Sequence, residues 1–341
     1  MGNKNTRIIV IGAVNSTLRI LRGLYRNQAN IVGVMGLDET CSATVSGFVN
    51  MEPFCLSTSI PFKSYEKINN DYNIEVIRNW QPDLIFAVGF SQLVTQKILD
   101  IPTKATIGFH PTQLPKGRGR APLAWLTYTC QPGAVVFFII SDGVDNGPIL
   151  AQEPFIIDIE DHAGDVEKKI LNAIDSIMDR WIPELLAGEW KPEVQDDELA
   201  TYTGIRRPLD GLIDWNKPFS TIYACIRSAS HPHPGAYTFA KGRKLLIWRA
   251  IPDKQGKCSG VPGRVLFVDK LGRYLVQCGD KPIWLNECEY PDALGETPKL
   301  KVGDLLGFSP QNEIAKLYKM IDELQQEIKQ LKLTNVNIRK D

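Results

Sequence analysis

The run Ile107-Gly108-Phe109-His110 is strand-like and ends on Pro111. Proline lacks an N–H and cannot continue a central ladder. His110 is therefore delivered at the carboxyl end of a strand, where open α/β sheets place their sites. An imidazole titrates near neutrality and suits proton transfer. A histidine that only caps a strand end is the competing reading. Asp145 follows 35 residues later in the loop Ser141–Pro148, after the apolar run 134–140. Alone, Asp142 and Asp145 read as turn residues. If the two strands are neighbours, Asp145 meets His110 at one sheet edge. A carboxylate there would orient the imidazole and favour its charged form.

These residues need a scaffold. Arg7–Gly12 reads as a buried strand, 18–24 as an amphipathic helix and Ile31–Gly36 as a second strand. Strand, helix, strand with short loops indicates a parallel α/β unit. Further strands are expected at 84–88, at 106–110 and, centrally in the sheet, at 134–140. Helical spacing is expected over 66–80 and 164–186. The sequence divides into a catalytic domain (1–190), a polar linker (191–208), a small β-barrel domain (209–303) and a tail helix (310–334). The barrel follows from short β-type runs alternating with Gly and Pro turns.

Composition narrows the class. The 341 residues carry 39 Lys+Arg against 39 Asp+Glu, so affinity for nucleic acid through net charge is not expected. No apolar run approaches the ~20 residues of a membrane-spanning helix. The N-terminus leads straight into a strand and does not read as a signal peptide. Seven scattered cysteines without a C-x-x-C pair suit a reducing cytoplasm. Of four histidines, only His231 and His233 are close, and neither has zinc-ligand spacing, so no metal is expected.

The motifs carry a resemblance. His110-Pro111-Thr112-Gln113-Leu114-Pro115, Arg118-Gly119 and Ala121-Pro122, then Gly143-Val144-Asp145-Asn146-Gly147-Pro148-Ile149-Leu150, resemble the folate-dependent formyltransferase family. Arg206-Arg207-Pro208, Ile213-Asp214-Trp215, Ile226-Arg227-Ser228 and His233-Pro234-Gly235-Ala236 resemble the carboxyl-terminal β-domain of its longer members. The resemblance covers roughly residues 7–300. It implies a Rossmann-like catalytic domain, an OB-like barrel, and N10-formyltetrahydrofolate lying across the strand ends. An acceptor's primary amine would attack the formyl carbon, with His110 and Asp145 as the catalytic pair. Gly89, Phe90, Ser91, Asp142 and Val144 would contact the folate.

One position departs. The family has Asn two residues before the histidine, where it helps hold the formyl oxygen; this chain has Gly108. Losing such a donor costs roughly 10²–10³ in rate unless another replaces it. Thr112, Gln113, Asn146 and a backbone N–H are the candidates. Lys116, Arg118 and Arg120, interleaved with glycines, suit a phosphate or the folate glutamate tail, or equally a solvated turn. Arg206 and Arg207 stand where a nucleotide diphosphate would lie.

The resemblance of these motifs to sugar formyltransferases implies a nucleotide-linked amino sugar as acceptor. Initiator methionyl-tRNA is the alternative: residues 201–300 carry 15 Lys+Arg and 9 Asp+Glu, a balance of +6, but no basic insertion separates the His and Asp motifs. A third reading is an inert folate- or sugar-binding homologue. In the tail, Ile314, Leu317, Ile321, Leu324, Ile328 and Leu331 step by 3 and 4. That is a heptad seam with Ile at a and Leu at d, and Glu327 at g could reach Lys332 at e of a second helix. It predicts a homodimer, or else a helix packed on its own chain.

Overall fold

The computed structural model describes residues 5–89, 94–293, 298–307 and 310–338. The chain opens with β1 (Arg7–Gly12), α1 (Asn15–Arg26), β2 (Asn30–Leu37), α2 (Glu52–Thr58) and β3 (Phe62–Tyr65). It continues with α3 (Asp71–Asn79), β4 (Leu84–Ala87), α4 (Gln96–Leu99) and β5 (Ala105–His110). Next come β6 (Arg118–Gly119), α5 (Pro122–Thr129), β7 (Gly133–Ile139), β8 (Ile149–Phe155) and α6 (Ala163–Ala187).

The large sheet has the order β3-β2-β1-β4-β5-β7-β8. Its first five strands are parallel, and β7 and β8 are each antiparallel to the preceding neighbour. Period-2 alternation sends Ile8 and Val10 into the core on one face and Ile9 and Ile11 into the core on the other. Helices cover both faces, which is why these strands are apolar throughout. The run 134–140 expected at the sheet centre is instead second from the edge. A strand buried on both faces has the same composition in either place.

α6 carries the main packing stripe. Val166, Ile170, Ile174, Ile177, Met178, Trp181, Ile182 and Leu185 are buried, and Trp181 stacks on Phe137 of β7 at 5.0 Å. Gly23 of α1 lies against Met178, where a Cβ would come within 2.9 Å of its side chain. That glycine lets the two helices approach. The expected helix over 66–80 is shorter: Tyr65 ends β3, and Asn70 caps α3 by accepting from Asn73 N at 2.7 Å.

The smaller domain holds α7 (Phe219–Ala229) and the strands β10 (Ala236–Ala240), β11 (Arg243–Pro252), β12 (Val265–Val268), β13 (Tyr274–Gln277) and β14 (Pro282–Glu289), preceded by the two-residue β9 (Tyr202–Thr203). The five form one antiparallel sheet, β10-β11-β14-β13-β12. Leu306 bridges Ala240 at one edge and Leu305 bridges Arg264 at the other. These bridges cover part of each edge. Ile222 and Ile226 of α7 fill the core, where Trp215 donates to Thr238 Oγ1 at 2.9 Å.

The domains are locked at the start of α6. Arg249 reaches Asp165 at 3.0 Å, Arg227 donates to the Asp161 carbonyl at 3.0 Å, and Ala250 N donates to His162 Nε2 at 3.3 Å. Residues expected as a linker are laid against the larger domain. β9 pairs with β6, and Glu193 bridges Ile149. Their polar composition satisfies backbone and side-chain partners there. Finally α8 (Pro310–Ile338) closes the chain. No described helix is long and apolar enough to cross a membrane.

Candidate functional site

The strand order reverses between β1 and β4, so the crevice of the sheet opens there. The approach is tight: Thr17 Oγ1 donates to the Val88 carbonyl at 2.8 Å, and a Cβ on Gly12 would stand 2.0 Å from the same oxygen. Gly89 turns the chain out of β4 with φ +59°. Phe90 and Ser91, named with it from the sequence, lie outside the described residues.

β5, next to β4, delivers His110, which is only 5% exposed. The Gly117 carbonyl can only accept, so the His110 Nε2–H donates to it, at 2.9 Å. Nδ1 faces Asp145 Oδ2 at 3.5 Å. The same Oδ2 accepts from Gly119 N at 2.8 Å. Burial pushes the His110 pKa down, and the Asp145 charge opposes it. The resting imidazole is therefore neutral with its proton on Nε2. Its Nδ1 lone pair looks at a carboxylate oxygen, so two acceptors face each other across a gap that an incoming proton would bridge.

The strands β5 and β7 that precede the two residues are neighbours, the condition set by the sequence, but antiparallel. His110 lies opposite Val136, and Ile107 opposite Ile139. The carboxyl ends of β5 and β7 thus point in opposite directions. The pair is brought together by two loops: the segment 111–119 folds back on His110, and the segment 141–148 reaches it. Asp145 has φ +49°, a left-handed conformation that Asp tolerates better than most residues.

What holds that loop comes from the polar segment between the domains. Gln195, 7% exposed, donates through Nε2 to the Asp145 carbonyl at 2.8 Å and to the Gly147 carbonyl at 2.7 Å. Its Oε1 accepts from Arg118 Nε at 3.1 Å and Nη2 at 2.9 Å. Arg118 is 1% exposed and also reaches Tyr202 Oη at 3.0 Å and Asp197 at 2.8 Å. Sequence reasoning missed Gln195. A glutamine within a run of acidic residues carries no local signal, and its partners are 48 to 77 positions away.

The remaining expected residues separate into two groups. Arg118 is committed inside the protein. Arg206 donates to Ser228 Oγ at 2.8 Å and lies over the rings of Trp125 and Tyr128, joining α5 to α7. Lys116, Arg120 and Arg207 are exposed, as are Asp142 and Val144 on the 141–148 loop.

Gly108 shares a face with His110, two residues on. A Cβ on Gly108 would stand 2.7 Å from Phe138 Cζ and 3.0 Å from Ile140 Cγ1. Space that a side chain would claim at this position is filled by β7 and the residue after it. Among the candidate replacement donors, Thr112 is buried with its hydroxyl on the Gly117 carbonyl at 3.4 Å. Asn146 accepts from Ser141 Oγ at 2.8 Å, which leaves its amide hydrogens as what it can offer.

A doubly wound sheet with a histidine–carboxylate pair beside its crevice, joined to an antiparallel β-domain, makes this a two-domain α/β protein. The sequence pattern described as formyl transferase matches residues 6–182, and that described as formyl transferase, C-terminal domain, matches residues 207–293. The chain belongs to the formyl transferase family.

Solved structures share the fold. HypX from Aquifex aeolicus, crystallised with tetrahydrofolic acid, superposes with a TM-score of 0.61 at 17% identity. That match covers 89% of this chain and 51% of HypX, so the chain spans about half the length of that protein. WlaRD, a sugar 3N-formyl transferase solved with dTDP and 5-N-formyl-THF, gives 0.61 at 19% identity, covering 84% of this chain and 98% of WlaRD. The methionyl-tRNA formyltransferase of Clostridium thermocellum gives 0.54 at 18% identity, covering 73% and 95%. At these identities the likeness is one of fold.

Proposed function

We propose that this chain moves a formyl group from N10-formyltetrahydrofolate to the primary amine of a nucleotide-linked amino sugar. The observation that carries the reading is the pair of facing acceptors, His110 Nδ1 and Asp145 Oδ2. A neutral amine that attacks the formyl carbon becomes cationic and must lose a proton. The facing acceptors can take it. The C–N10 bond then breaks, the same proton returns to N10, and the products are the formamide and tetrahydrofolate. His110 has both nitrogens directed into the protein, so Asp145 is the member that meets the amine, and His110 stabilises the proton behind it.

The folate lies over the crevice between β1 and β4, against Gly89 and the 141–148 loop with Asp142 and Val144. The exposed cations Lys116, Arg120 and Arg207 meet the acceptor's phosphates. With Phe138 against Gly108, charge on the formyl oxygen is met by the Asn146 amide. The likeness to WlaRD, a sugar 3N-formyl transferase solved with dTDP, supports the acceptor class. The partner is a second copy of the chain, joined through α8, and the setting is the cytoplasm.

The test is formyl transfer from N10-formyltetrahydrofolate to a panel of UDP-, dTDP- and GDP-linked amino sugars, with charged initiator tRNA alongside. One formylated sugar is the expected product, and Asp145→Asn should lower its rate by roughly 10²–10⁴. Formylation of tRNA alone overturns the acceptor class. Full activity in Asp145→Asn overturns the proton route. Folate binding without transfer to any acceptor favours the inert homologue.

A further inference from the structure

We infer that α8 joins the α8 of a second copy as a parallel, in-register, two-stranded coiled coil. This deepens the homodimer reading above and rests on it. The six seam residues Ile314, Leu317, Ile321, Leu324, Ile328 and Leu331 are each 46–62% exposed. The chain's own body therefore leaves the stripe uncovered, against the reading of a helix packed on its own chain. An isolated amphipathic helix draws most of its stability from burying such a stripe, and a contiguous exposed one marks an interaction surface.

Residue types choose the occupant. Ile at each of three a positions and Leu at each of three d positions is the combination that packs as two parallel strands. A copy of the same helix supplies the matching knobs and holes in register.

Charge chooses the orientation. Glu327 stands at g, and Lys332 stands at e of the next heptad. In a parallel in-register pair, g of one helix faces e of the other. Glu327 then meets the partner's Lys332, and two-fold symmetry makes that pair twice. Antiparallel helices bring g against g and e against e, setting like charges together. The helix also runs to Ile338, past the 334 expected from the sequence. Parallel pairing places both catalytic bodies at the same end of the coil.

The experiment uses the full chain and measures mass against concentration by sedimentation equilibrium. A dimer is expected. A monomer throughout the micromolar range overturns the homodimer reading and this inference with it. Glu327→Lys sets lysine against the partner's Lys332 and should weaken the dimer roughly tenfold. Adding Lys332→Glu should restore it, since the two positions are five apart and do not neighbour each other within one helix. A dimer that ignores the single swap, or that the double swap fails to restore, stands as a dimer but overturns the parallel register.

Discussion

Gln195 Nε2 donates to the main-chain oxygen of Asp145 at 2.8 Å, so a residue between the two domains fixes the loop that carries the carboxylate. The same amide holds Gly147, and Arg118 holds the amide. The placement of Asp145 beside His110 thus depends on a segment outside both regions matched by the family patterns.

Gln195→Glu isolates this role. Glutamate keeps an acceptor for Arg118 but sets a second acceptor against two carbonyl oxygens. The loop should loosen, and kcat for formyl transfer should fall about tenfold or more, with KM for folate little changed. Leaving the two carbonyls unpaired should also cost roughly 1–3 kcal/mol of stability. The pH–rate profile is the deciding measurement. Displacing Asp145 from His110 should move its limb, whereas a purely structural defect would lower the whole curve without shifting it.

Gly108 and Phe138 are complementary. Gly108→Ala places a Cβ at 2.7 Å from a ring in a packed sheet. It should destabilise by about 1–3 kcal/mol through overpacking. Phe138→Ala in the same chain should relieve the clash, so the two changes would be non-additive in a denaturation cycle. Additive losses would show that the ring does not hold this space.

The domain junction gives a pH dependence. Burial, assisted by the nearby charge of Arg249, lowers the His162 pKa from 6.5 to about 4. Nδ1–H donates to the Glu160 carbonyl at 3.0 Å, and Nε2 accepts from Ala250 N. Only the neutral ring does both. Above pH 6.5 the ring is neutral folded or unfolded, and its contribution is complete. As pH falls from 6.5 towards 4, the unfolded chain takes up a proton that the folded one refuses. Stability should fall by roughly 3 kcal/mol from this group alone. His162→Asn should flatten that part of the wild-type slope in urea titrations between these pH values. An unchanged slope would show that His162 titrates normally in the folded protein.

The sequence by itself determined a good deal. Local pattern is enough for strands buried on both faces, for a stop at Pro111 and for the stripe of α6, because each depends on near neighbours. It also offered His110 and Asp145 as a pair, on the condition that their strands were neighbours and through the family resemblance. The tertiary structure alone decided how they meet. An apolar run such as 134–140 reads the same in either direction, so its antiparallel setting beside β5 was not legible. Nor was the burial of Arg118, which in sequence resembles any cation between glycines and becomes internal only when Gln195, Asp197 and Tyr202 surround it. Gln195 shows the physical reason. Its hydrogen bonds close over long separations along the chain, and the energy of such contacts exists only after the fold has brought their ends together.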